Sequence, residues 1–148
     1  MLTLSTGIVA RGCFFLADSR ASHSGPERVA DLLNAAEGGF FPFEVNDEAG
    51  PHTVMYNRSQ VVEVTLLKET GEVQLDPGYA VATERRVQIL LSTGHTVVGR
   101  VRVYRPEGRD RLSDYARIPE MFRYVETAQG TLLLNSEHIV ELREASAR

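Results

Sequence analysis

Hydrophobic residues fall in short runs punctuated by glycine, asparagine and aspartate, a pattern that predicts strands over most of the chain. Ile8–Ala17 reads as a strand with Gly12 at a bend or bulge. Along it Phe14 and Leu16 take one side as core positions, and Cys13 and Phe15 take the other. Phe40–Val45, Thr53–Tyr56 and Val61–Leu67 read as further strands, with a turn at 46–51 and a break after Asn57. Helical spacing is confined to Glu27–Ala36, with Val29, Leu32 and Leu33 on one face and Gly38-Gly39 as the stop. The later part of the chain predicts strands at Val87–Ser92, Thr96–Tyr104, Met121–Thr127, Thr131–Leu134 and Ile139–Arg143, with a short helix or turn before Pro119. Between the two parts, Glu69-Thr-Gly71 and Asp76-Pro-Gly78 mark turns around a short strand at Val73–Leu75.

This order of elements occurs twice. Leu4-Ser-Thr-Gly7 with Gly12 is matched by Leu91-Ser-Thr-Gly94 with Gly99. Arg28 and Asp31 match Arg111 and Asp114; Phe40 and Glu44 match Phe122 and Glu126; Thr53–Asn57 matches Thr131–Asn135; Val62-Glu63 matches Val140-Glu141. The offset falls from 87 to 83, 82 and 78 residues, as loops of different length in two copies of one unit would produce. The chain therefore reads as repeat 1 over 1–67, a linker over 68–84, and repeat 2 over 85–148. The first strand of repeat 1 is short, so that copy either starts clipped or borrows a strand from the linker. Each copy is near the size at which a lone core is marginal, so the two are expected to pack together or to assemble further.

Ile89-Leu-Leu-Ser-Thr-Gly94-His-Thr-Val-Val-Gly99-Arg-Val resembles the first signature of the Sm/LSm family, to which the Hfq-like proteins belong. The resemblance implies a mostly β fold: two tandem Sm-like five-stranded barrels, each with a short helical insert after the second strand. Thr53–Val64 and Thr131–Leu142 then stand where the family has its fourth and fifth strands. The resemblance also implies ring formation by strand-edge pairing, and RNA binding in many members. The family's RNA-contact motifs are not retained: Asp31-Leu-Leu-Asn34 is displaced, Asp114-Tyr-Ala-Arg117 lacks the asparagine, and neither copy has the Arg-Gly segment between its last strands.

Charge separates the copies. Residues 1–67 carry 4 basic and 8 acidic groups, and residues 85–148 carry 11 basic and 8 acidic. An acidic first half opposes a nucleic-acid backbone, and acidic and basic copies attract one another. The contrast sharpens at matched positions: Cys13, Phe15 and Phe41 form an expected apolar patch where repeat 2 has Arg100, Arg102 and Arg123. The patch is a candidate interface, covered by a partner or by the chain's own first strand or linker. The arginines are candidate contacts for phosphates, RNA or an acidic protein.

Arg28, Asp31, Arg111 and Asp114 recur at helical spacing and read as ties holding each insert. Asn57 and Asn135 read as turn caps. The four histidines, His23, His52, His95 and His138, have no metal-ligand spacing, and Cys13 has no adjacent base, so no catalytic, metal or cofactor site is expected. A single cysteine fits a reducing compartment, and neither a bilayer-length apolar run nor a leader pattern is evident, so cytoplasm and no membrane are the default expectations. The functional expectation is a non-enzymatic protein-interaction or assembly module whose partner is a second copy or another protein. The alternative is an RNA-binding protein using Arg100, Arg102 and Arg123.

Overall fold

The computed structural model describes residues 1–16, 27–35, 38–66, 83–103 and 111–145. The strand expected at Val73–Leu75 and His23 lie outside the described residues. Eleven strands are described: β1 (Leu2–Leu4), β2 (Val9–Ala10), β3 (Gly12–Phe14), β4 (Phe40–Asp47), β5 (Gly50–Asn57), β6 (Val61–Thr65), β7 (Thr83–Leu91), β8 (Thr96–Val103), β9 (Phe122–Thr127), β10 (Gly130–Asn135) and β11 (Ile139–Glu144). Two short helices, α1 (Val29–Asn34) and α2 (Leu112–Ala116), follow β3 and β8, and single 3-10 turns at Arg58–Gln60 and Ser136–His138 precede β6 and β11. The protein is mostly β, and among the described residues no helix is long and apolar enough to cross a membrane.

The strands form an eight-stranded sheet in the order β11-β7-β8-β9-β10-β6-β1-β2 and a three-stranded sheet β3-β4-β5. Both sheets are open. The closed five-stranded barrels expected from the sequence are therefore corrected to two open sheets, for two physical reasons. The edge of β10 is taken by β6, not by β11. The second strand of the first half also breaks at Arg11, so β2 stays with β1 while β3 joins β4. In the second half the corresponding strand β8 runs unbroken and pairs with both neighbours.

The bends depend on two glycines. A Cβ on Gly12 would collide with the backbone carbonyl of Glu44, and one on Gly99 with the backbone carbonyl of Glu126. Only glycine allows the second strand to cross so close to the third. The turns before them also match: Gly7 N–H donates to the Leu4 carbonyl and Gly94 N–H to that of Leu91, both at 2.9 Å.

Two apolar clusters fill the molecule, and each draws on both halves. Leu2, Leu33, Phe41, Phe43, Val61 and Val64 pack with Phe122 and Leu133 from the second half. Val87, Ile89, Val101, Tyr115, Val125 and Leu134 pack with Val62 from the first. Phe14 stacks on Phe41 at 5.9 Å and meets Phe43 edge-on at 5.1 Å, so the aromatic residues of the first half interlock. Leu16, expected in the core, is instead 37% exposed, because β3 ends at Phe14.

Candidate functional site

The junction between the halves is built from backbone and polar contacts. Antiparallel pairing sets Leu132, Leu133 and Leu134 of β10 opposite Thr65, Val64 and Glu63 of β6. The side chain of Asn135, fully buried, completes the seam. Its Nδ2 donates to the carbonyls of Val61 at 2.9 Å and Arg58 at 3.3 Å, while Oδ1 accepts from Glu137 N–H at 3.0 Å. His138 adds a second crossing, with Nε2 2.6 Å from the Ser59 carbonyl and Nδ1 2.7 Å from Ser92 Oγ. A carbonyl can only accept, so Nε2 carries the proton and Nδ1 accepts from the serine hydroxyl in the neutral ring. Asn34, at the end of α1, grips both backbone polar groups of one residue: Nδ2 donates to the Phe122 carbonyl and Oδ1 accepts from Phe122 N–H. His95 Nδ1 lies 3.3 Å from Glu63 Oε1 across the same seam.

The matched elements elsewhere are unfilled. β5 stands in the first half where β10 stands in the second, and β11 stands where β6 does; both are sheet edges, paired on one side with β4 and β7 and without a second partner strand among the described residues. Asn57 Oδ1 accepts from Ser59 N–H at 3.0 Å, as Asn135 Oδ1 does from Glu137, but the Asn57 amide nitrogen donates no hydrogen bond among the described residues. Ser5 Oγ donates to Gln60 Oε1 at 2.6 Å, mirroring Ser92 and His138.

The pairs at the helix starts differ in detail. Asp31 accepts from the Arg28 backbone N–H at 3.0 Å and from two guanidinium nitrogens at 3.0 and 3.1 Å. Asp114 accepts from the Arg111 backbone N–H at 3.0 Å. Both caps start a helix whose first turn would otherwise leave its N–H groups unpaired.

The candidate apolar patch needs correction. Cys13 and Phe15 are exposed, but Phe41 is 2% exposed and lies in the core. Strand alternation explains this: Phe41, Phe43 and Val45 face inward, and Phe40, Pro42 and Glu44 face outward. The outward side of the three-stranded sheet therefore carries Cys13, Phe40, Pro42 and Met55, aligned by the pairing of Cys13 with Glu44 and of Pro42 with Met55.

The arginines do not form one free cationic face either. Arg102 lies 3.2 Å from Glu84 and 3.7 Å from Glu126, and Arg100 lies 3.5 and 3.9 Å from the same carboxylates. Two cations and two anions on adjacent strands leave little net charge. Arg123 is turned inward. Its guanidinium donates to the carbonyls of Tyr115 at 2.8 Å and Ile118 at 2.5 Å and sits 5.3 Å from the Tyr115 ring centroid. It thus satisfies carbonyls where α2 ends. Phe41 and Arg123 occupy matched positions and both face the insert, one through apolar packing and one through hydrogen bonds. Among the described residues the buried Tyr115 hydroxyl has no hydrogen-bond partner, and burial pushes its pKa well above the ordinary phenol value.

Sequence reasoning did not single out Phe40, Met55, Val140 or His138 as site residues. A signal lay in the sequence matches, since each has a matched position whose environment can be compared. No family model, curated protein or solved structure matches the chain.

Proposed function

We propose that the protein is a non-enzymatic assembly module built from two Sm-like repeats, which associates through its open strand edges. One observation carries this reading: β10 pairs with β6 inside the chain, while their counterparts β5 and β11 remain edges with no second partner strand among the described residues. An edge strand presents unpaired N–H and C=O groups and is a template for adding another strand. Neither edge is blunted by proline in its central pairing positions, and each carries an exposed hydrophobic residue, Met55 on β5 and Val140 on β11. Of the three candidate arginines, Arg100 and Arg102 are matched by Glu84 and Glu126, which favours a protein partner over an RNA backbone.

Native mass by light scattering, with absorbance at 260 and 280 nm on protein purified at low salt, tests the proposal. An oligomer free of nucleic acid is expected. A strict monomer at every concentration refutes assembly, and nucleic acid that copurifies at low salt and dissociates at high salt replaces it with the RNA reading.

A further inference from the structure

The tie between Ser92 and His138 has an internal control. Each half carries the same turn, and in each the main chain locks the serine to a residue of the 3-10 turn. Ser92 N–H donates to the His138 carbonyl at 2.8 Å, and Ser5 N–H to the Gln60 carbonyl at 2.8 Å. Each serine hydroxyl then meets the side chain of that same residue: Ser92 Oγ lies 2.7 Å from His138 Nδ1, and Ser5 Oγ 2.6 Å from Gln60 Oε1. Glutamine therefore suffices for the tie. Histidine at the matched position answers the same hydrogen bond and adds a base.

The surroundings of His138 aim that base at the serine. Its Nε2 lies 2.6 Å from the Ser59 carbonyl, which keeps the ring proton on Nε2 and leaves the Nδ1 lone pair on the Ser92 side. The histidine is half-buried and Ser92 is exposed, so a reagent reaches the hydroxyl while the base stays fixed. A hydroxyl, a base within hydrogen-bond reach and a third group that orients the base are the parts of an activated nucleophile. The Gln60 amide oxygen accepts the Ser5 hydrogen bond but takes no proton from it.

We propose that Ser92 is a site of covalent acylation by activated acyl esters, with His138 as its general base. Ser92 Oγ forms a bond to the acyl carbon while its proton passes to His138 Nδ1. The carbonyl electron pair moves onto oxygen and then returns, breaking the bond to the leaving group, which departs with the proton from Nδ1. The Ser59 carbonyl steadies the positive ring formed in between, since a charged donor strengthens that hydrogen bond. A base of this kind speeds proton transfer by about 10²–10⁴-fold, a gain matched to acyl groups that already carry a good leaving group. One acyl group is taken up per chain, a modification that is independent of whether the strand edges pair.

The test treats the full chain with p-nitrophenyl acetate, quenches in acid at early times and maps acetyl groups by peptide mass spectrometry. Ser5 is equally classed as exposed and sits in the matched turn of the same molecule, so the first comparison needs no variant. Ser92 should be acetylated about 100-fold faster than Ser5. His138→Gln then copies the first half, keeping a side chain that accepts from Ser92 and donates to Ser59 while removing the base. Once circular dichroism establishes that this variant folds, its Ser92 should be acetylated about 100-fold more slowly than in the wild type. Equal rates at Ser92 and Ser5 in the wild type, or an unchanged Ser92 rate in His138→Gln, overturn the proposal and leave the histidine as a tie alone.

Discussion

Replacing Asn135 and Asn57 separately by alanine offers a direct comparison of one residue type in two environments. Both side chains cap a 3-10 turn through Oδ1. Asn135 also donates to two carbonyls of the other half from a fully buried position, whereas the Asn57 amide nitrogen donates to none among the described residues. A buried neutral hydrogen bond contributes roughly 1 kcal/mol net, and a lost cap about 1 kcal/mol. Asn135→Ala therefore costs about 3 kcal/mol and Asn57→Ala about 1 kcal/mol. Urea unfolding followed by circular dichroism at low protein concentration measures both. With a slope near 2 kcal/mol/M, the Asn135 variant unfolds at roughly 1 M less urea than the Asn57 variant. Equal midpoints for the two, with unchanged slopes, would refute the view that Asn135 ties the halves together.

Gly99→Ala drives a methyl group against the backbone carbonyl of Glu126, which cannot move aside without breaking the β8–β9 approach, so a loss of about 3 kcal/mol in chemical denaturation is expected. Phe41→Ala opens the aromatic cluster and costs about 3–5 kcal/mol, while Phe40→Ala in the dilute chain costs under about 0.5 kcal/mol; the two midpoints distinguish core from surface on adjacent residues. Tyr115→Phe removes a buried hydroxyl that has no partner among the described residues, and should leave stability unchanged or raise it by about 1 kcal/mol. The Tyr115 pKa is raised on folding, so the folded state binds this proton more tightly than the unfolded state. That contribution is complete below the unfolded phenol pKa of 10.0 and is lost as pH rises through it toward the folded value. Thermal melts of the wild type should therefore fall more steeply above that pH than those of Tyr115→Phe.

Local features were legible in the sequence because their causes are local. Gly38-Gly39 after an amphipathic stretch, aspartate three residues after an arginine, and asparagine between two apolar runs each act through neighbours a few positions away. The side of β4 was not legible by the route of matching copies. Phe41 corresponds to Arg123, and a charged twin suggests a solvent-facing position. Arg123 instead turns inward to satisfy carbonyls at the end of α2. The plain alternation of Phe41, Phe43 and Val45 carried the correct side. The seam itself was out of reach, because pairing Glu63 with Leu134 depends on which strand edge wins a contact far apart along the chain.

The exchange of side chains between the two clusters also bears on synthesis. The first half cannot close its core with its own residues, since Phe122 and Leu133 belong to the last third of the chain. At about 5–20 residues per second, a ribosome needs several seconds after finishing β6 to deliver them. During that interval Leu33, Val61 and Val64 lack the part of their cover that Phe122 and Leu133 supply, and the nascent first half keeps apolar surface open to aggregation. The protein thus reaches its native core only near the end of translation, and a chain truncated before β10 is left with an unfinished hydrophobic surface.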